Sequence, residues 1–297
     1  MKRYQLKFIT PCFCAGANQL SAEVRPSSIR GELRWWFRCL GGTKADEDEI
    51  FGSVAGQGNA SSVLLRVSNV MRGQPPYSAD FISPNEPGAY LHYLLTAPND
   101  NGHSRMWETP PNSETKTKGV IRDASQLPPG TNFELRILQK RQLSDELNAK
   151  LSLSIEMMLR FGGIGYRRTR GFGAWMNEND LLSRSALEEQ LNKISEFGFT
   201  WKLAQGGSRD ALVVLRQVED RLKGNKNANT GYRLNYPAKK RTALGYSLGK
   251  NDRQASAVLF RPCPFQTKSG DIQFALLELQ APNSVLGADT PKKRIIS

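Results

Sequence analysis

The 297-residue sequence predicts an α+β fold, with two helices laid on one face of an antiparallel sheet. Three observations carry that expectation. Residues 4–9, 61–69 and 132–138 read as strands, most of them by apolar–polar alternation. Two longer stretches, after Pro26 and after Ser144, carry apolar residues at helical spacing. With a proline-rich stretch set aside, the order is β-α-β-β-α-glycine loop-β, that of a ferredoxin-like or RRM-like unit. The chain is too long for one such unit at roughly 100–200 residues per domain, so two are expected. The first spans 1–178, with an insertion at about 72–130 and a glycine-rich loop at 162–173. The second, 179–297, is less regular and carries a basic loop.

The first strand ends at Thr10-Pro11, and a Gly16-Ala17-Asn18 turn follows. Pro26-Ser27-Ser28 reads as a helix start, because a serine side chain can accept from the first free N–H groups. Ile29, Leu33, Trp36, Phe37 and Leu40 make its apolar stripe, and Gly41-Gly42 stops it. The insertion holds nine of the sixteen prolines and both histidines, with one short strand expected near Tyr90–Thr96. A second helix, about Ser144 to Arg160, presents Leu147, Leu151, Ile155 and Met158 and runs into the glycine-rich segment. Beyond it, 198–204 reads as a strand and Ser208–Lys223 as a helix. Val258–Arg261 and Asp271–Leu279 read as strands, a partial second copy of the same order.

Composition bounds the function. Lys plus Arg is 41 against 28 Asp plus Glu, a net charge of +13 with a pI near 9.7. That excess points to a polyanionic partner. With 39% hydrophobic residues the chain is not a disordered basic tail. It has no apolar run of membrane-spanning length, no secretory signal pattern and no long Lys-rich amphipathic helix, so a cytoplasmic protein away from membranes is expected. Cys12, Cys14, Cys39 and Cys263 lack zinc-site spacing and are expected to be reduced thiols; no metal or cofactor is implied.

The charge has three addresses. Arg30, Arg34 and Arg38, four apart, form a basic ridge on the first helix. Ser28 and Arg30 lie by its N-terminus, which suits a phosphate; salt bridges to nearby acids are the alternative. Trp35, off the apolar stripe, is either a base-stacking platform or second-layer packing. The segment 162–173 packs five glycines with Arg167, Arg168 and Arg170. Glycine permits close backbone approach and arginine supplies forked donors, while the phosphate-loop and dinucleotide fingerprints are absent. The third address, 223–253, includes Lys239, Lys240, Arg241 and Arg253, with Tyr232, Tyr236 and Tyr246 interleaved. It reads either as a single-strand binding composition or as a solvated loop.

Three segments together resemble the RAMP superfamily of CRISPR proteins, and within it the first Cmr subunits of type III-B RNA-targeting effector complexes. The first is Thr10-Pro11-Cys12-Phe13-Cys14-Ala15-Gly16-Ala17, continuing through Glu23-Val24-Arg25. The run Ser28-Ile29-Arg30-Gly31-Glu32-Leu33-Arg34-Trp35-Trp36-Phe37-Arg38 is its most specific part, followed by the acidic stretch ending Glu49-Ile50-Phe51-Gly52-Ser53. The second is Gly162 to Gly173, which resembles the superfamily's glycine-rich loop. The third runs from Leu244-Gly245-Tyr246 to Asp252-Arg253-Gln254-Ala255-Ser256, with Ala257 where the family tends to have proline.

The resemblance implies two ferredoxin-like units and a non-catalytic subunit at the 3′ side of the guide RNA, helping to capture or position target RNA beside other RAMP subunits. The RNA-binding set expected is Arg25, Ser28, Arg30, Arg34, Arg38, Gly163, Gly165, Arg167, Arg168, Arg170, Gly171, Lys239, Lys240, Arg241 and Arg253. The alternative is an endoribonuclease of the same superfamily that processes guide RNA. Its general base would have to be His92 or His103, which both read as surface histidines of the insertion. Metal-dependent cleavage through Asp46 or Asp80 has no paired-acid motif behind it. A protein-interaction module is a third reading, opposed by the arginine concentrated in the glycine loop.

Overall fold

A computed structural model describes residues 1–17, 21–53, 58–74, 107–108, 120–121, 126–223, 244, 246–247, 253–254, 256–282 and 296. The elements, in chain order, are β1 (Lys2–Phe8), α1 (Pro26–Cys39), α2 (Lys44–Phe51), β2 (Val63–Met71), β3 (Trp107–Glu108) and β4 (Val120–Ile121). Then come β5 (Asn132–Gln139), α3 (Asp145–Phe161), β6 (Trp175–Met176), α4 (Arg184–Ser195), β7 (Thr200–Leu203) and α5 (Ala211–Lys223). The last are β8 (Tyr246–Ser247), β9 (Arg253–Gln254), β10 (Val258–Gln266) and β11 (Ile272–Gln280).

The first sheet has the strand order β2-β5-β1-β6, every neighbour antiparallel. A β-α-β-β-α-β chain folds to that order when each helix crosses over one intervening strand, so the predicted element order and the observed sheet agree. Alternation sets the faces. Leu6 and Phe8 of β1, Val63 and Leu65 of β2, and Phe133, Leu135 and Ile137 of β5 are buried. They meet α1 and α3 through Leu33, Trp36, Phe37, Met158 and Phe161. Aromatic contacts tie this layer together: Phe8 lies 5.4 Å from Phe133, and Trp36 stacks on Phe199 at 5.6 Å.

The second sheet runs β10-β11-β7, also antiparallel, and is covered by α5. Its β7-α5-β10-β11 order matches the first four elements of the same plan. Both hydrophobic clusters draw on residues from either side of 178: Leu187, Phe199 and Leu277 join the first, and Ile9, Phe13 and Phe172 the second. Only fragments of the 72–130 stretch belong to the described residues, and the strand expected at 90–96 lies outside them.

Several sequence expectations are corrected. No serine side chain caps α1; Arg25 is the N-cap, and Pro26 occupies the first turn, where its missing N–H costs nothing. Ser28 therefore lies inside the helix. Two helices were not anticipated. α2 has a Thr43 capping box, in which Thr43 Oγ1 accepts from the Asp46 N–H at 3.1 Å and Asp46 accepts in return. α4 has a Ser183 cap. β10 does not stop at Arg261 but continues through Pro262 and Pro264. Two apart, these prolines turn their missing N–H groups to the same side as Phe260, away from β11, so no ladder bond is lost. Helix α5 begins at Ala211 rather than at Ser208, because Asp210 accepts from the Leu212 N–H at 2.8 Å and caps it.

Candidate nucleic-acid interface

The glycine loop is held from three sides. The segment Thr10 to Cys14 runs along it. Thr10 Oγ1 donates to the Gly171 carbonyl at 2.7 Å and accepts from the Ala174 N–H at 2.9 Å. The Gly173 N–H donates to the Pro11 carbonyl, and the Tyr166 N–H to that of Phe13, both at 2.8 Å. This intimacy explains the glycines. At Gly165, φ is +95° and a Cβ would lie 2.8 Å from the Phe13 carbonyl oxygen.

From beneath, the fully buried Arg261 donates to the carbonyls of Gly162 and Trp175, each at 2.7 Å, and so pins both stems of the loop. Burial lowers its pKa, and the charge of Glu32 works against that shift. The sequence gives one usable signal for this residue: an arginine inside an otherwise apolar strand. From the far side, Arg170 donates to the Leu244 carbonyl at 2.8 Å and to Ser256 Oγ at 3.1 Å. It thereby ties the loop to the second half of the chain.

Between the loop and α1 lies an open groove lined by Ser28, Gly31, Glu32, Trp35, Arg38, Gly163, Ile164, Gly165 and Arg168. The α1 members recur at three- and four-residue spacing and so form a single stripe. Arg168 bridges the groove. It pairs with the buried carboxylate of Glu32 at 3.0 Å, and its guanidinium lies 5.0 Å over the Trp35 ring. Burial raises the Glu32 pKa; the Arg168 charge and a 3.2 Å hydrogen bond from Trp36 Nε1 oppose that rise. Trp35 is second-layer packing, edge-on to Trp36 at 5.0 Å, and also part of the groove wall.

Gly31 differs from the loop glycines. It is exposed in mid-helix, with nothing within 4 Å of where a Cβ would stand. A glycine there costs about 1 kcal/mol of helix stability against alanine. Packing gives no reason for it.

The residues singled out from sequence divide three ways. Ser28, Arg38, Gly163, Gly165 and Arg168 come together on the groove. Arg167, at φ +58°, is the next loop residue and lies 4.8 Å over the Tyr166 ring. Arg30 and Arg34 turn to α2 instead. Arg30 donates to the Phe51 carbonyl, and Arg34 pairs with buried Glu47 at 2.6 Å, while Arg38 reaches the same carboxylate only at 3.8 Å. Arg170 and Gly171 face the second half, and half-buried Arg25 caps α1. Lys239, Lys240 and Arg241 lie outside the described residues, as do His92 and His103; Arg253 is described only as part of β9.

Among the described residues no group of three His, Cys, Asp or Glu could hold a metal ion, and no helix is long and apolar enough to cross a membrane. All four cysteines are buried and free. Burial pushes the Cys12 thiol well up and that of Cys263 to about 11.

Comparison with known proteins agrees with this architecture. The Cmr subunit Cmr1-2 of Pyrococcus furiosus is 28% identical over 183 residues, covering 58% of this chain and 91% of that protein. The crystal structure of Cmr1 from Pyrococcus furiosus in its apo form superposes with a TM-score of 0.54 at 18% identity, covering 99% of this chain and 91% of the other. A cryo-EM structure of type III-B Cmr-beta bound to cognate target RNA gives a TM-score of 0.56 at 14% identity, covering 99% and 96%. The model of the RAMP superfamily matches residues 5–175, more than half of the sequence and most of the first sheet with its loop: the chain belongs to the RAMP superfamily and resembles Cmr1 of type III-B systems.

Proposed function

We propose that this chain is a non-catalytic, RNA-binding subunit of a type III-B CRISPR ribonucleoprotein effector complex. In this reading it lies at the 3′ end of the guide RNA, beside other RAMP subunits, and helps to capture or position target RNA. The observation that carries the reading is the groove between α1 and the glycine loop. One wall is a helix stripe with an unfilled glycine, and the other is a backbone-rich loop carrying Arg167 and Arg168. Such a surface suits a sugar–phosphate chain, which needs close backbone approach and cationic donors but no base-reading code. Resemblance to Cmr1, and to Cmr-beta bound to cognate target RNA, supports placing the chain in such a complex. Residues 1–178 and 179–297 would serve as two units of one platform, joined by Arg170.

The test is salt-dependent binding of labelled guide and target RNA to the purified chain, with and without divalent metal. The expected result is binding that weakens steeply with salt and leaves the RNA intact. Arg38→Gln combined with Arg167→Gln weakens binding without unfolding the chain. Cleavage of either RNA, or affinity unchanged in the double variant, overturns the reading.

A further inference from the structure

The sheet face turned away from the helices carries a second cationic feature, apart from the groove. Register places Arg3 of β1 opposite Arg136 of β5, and Arg136 opposite Arg66 of β2. Three guanidinium side chains thus stand in one row across three adjacent strands. Neighbours in such a row have Cβ atoms about 4.5–5.5 Å apart, and like charges so placed destabilise a sheet. One of the three is neutralised: Arg136 pairs with Glu134, which also accepts from Gln5 and Ser68. Arg3 and Arg66 are exposed, and neither makes a salt bridge among the described residues. They leave two surplus cations, two strand spacings or about 10 Å apart.

We infer that this row is a second RNA contact, a site at which Arg3 and Arg66 grip phosphates of a single strand crossing the open sheet face. The inference rests on the RNA-binding reading above and extends it to a separate surface. From Arg3 to Phe8, where β6 returns from the glycine loop, is five residues, or about 17 Å along β1. An RNA engaging both sites therefore passes round the edge of the sheet.

The chemistry of the face favours a polyanion over a protein. Its outward positions are Arg3, Gln5 and Lys7 on β1, Asn132, Glu134, Arg136 and Leu138 on β5, Leu64, Arg66, Ser68 and Met71 on β2, and Met176 on β6. The apolar ones stand at the two ends, Leu64 opposite Leu138 at one and Met71 and Met176 at the other, around a charged and polar centre, whereas a protein interface needs an apolar, charge-depleted centre. No aromatic residue stands among them, so bases have no stacking platform and the contact is to phosphate, indifferent to sequence.

The experiment titrates the full chain with a labelled single-stranded RNA at several salt concentrations. Arg3→Gln with Arg66→Gln is compared with Lys193→Gln plus Lys268→Gln, which removes two exposed cations elsewhere. Each single-strand phosphate contact contributes about 0.7 to the salt slope. Losing two is expected to lower the slope by about 1.4 and to weaken binding about 25-fold at about 0.1 M salt. The control pair should do neither.

If the sheet variant binds like the control while Arg38→Gln with Arg167→Gln weakens binding, the sheet contact is overturned and the groove reading stands. If the sheet variant keeps RNA affinity but no longer co-purifies with neighbouring subunits, the row serves an acidic protein surface and the RNA inference is likewise overturned. If the unaltered chain shows no salt-dependent binding, both fall together.

Discussion

Replacing Arg261 by methionine tests whether the glycine loop is clamped from beneath. The side chain is 1% exposed and donates to the Gly162, Trp175 and Pro262 carbonyls, at 2.7, 2.7 and 3.1 Å. Two effects oppose each other. Removing a buried charge that has no carboxylate within salt-bridge reach among the described residues recovers desolvation free energy. Removing the donor strands these three buried carbonyls at about 1–3 kcal/mol each. One of them, Gly162, ends α3, where a cation also favours the helix dipole. The stranded carbonyls stay buried and win, for a net loss of about 3 kcal/mol. With a urea slope near 3 kcal/mol/M, the unfolding midpoint falls by about 1 M. Arg261→Lys, which keeps the charge but not the fork, should fall between. RNA affinity should drop with the loop in both variants. A methionine variant within about 0.5 kcal/mol of the unaltered protein would refute the clamp.

Two further outcomes concern the groove and a third the buried thiols. Gly31→Ala should raise the melting temperature, worth up to about 1 kcal/mol, because the new methyl meets nothing, and should weaken RNA binding if the backbone is approached there; a stabilised variant with unchanged affinity removes Gly31 from the interface. Glu32→Gln tests the buried carboxylate by pH. Its folded pKa lies above its unfolded one, so the unaltered protein loses stability as pH rises from about 4.5 through the raised value, and the glutamine variant does not; urea midpoints at acid and neutral pH should show the variant gaining on the parent, and the opposite sign would mean that the Arg168 pair dominates. Cys12 and Cys263 should resist iodoacetamide at about pH 8 in the folded chain and react once unfolded, since burial keeps both thiols protonated; fast labelling of either by mass spectrometry would contradict their burial.

The first sheet was legible because its strands alternate and its helices carry a clean 3.6-residue stripe with starts and stops. Elements whose signal is tertiary were not. Helix α2 reads as an acidic stretch, and its capping box, the pairing of Glu47 with Arg34 and the burial of Ile50 and Phe51 against α1 hold it in place. β10 violates strand propensity with two prolines and survives because one of its sides faces the loop segment at Thr169 rather than another strand. The site was half legible for the same reason. Residue type announced that Arg30, Arg34, Arg168 and Arg170 were cationic, but only the fold reveals that acids and carbonyls consume much of that charge.

That consumption sharpens the meaning of the net charge. An arginine satisfied by a buried carboxylate adds little attraction for RNA, because the pair is nearly neutral at a distance. Arg34 with Glu47 and Arg168 with Glu32 therefore build the groove's shape more than its potential. Less spent cations lie elsewhere, among them half-exposed Arg38 at the groove end, which reaches Glu47 only at 3.8 Å, and Arg3 and Arg66 on the outward sheet face. Long-range attraction and local fit are then separate properties of separate residues. Substituting the exposed cations should change the salt slope, while substituting Glu32 or Arg168 should change affinity at constant slope. A uniform effect of all five substitutions on the slope would show that the folded pairs open when RNA binds.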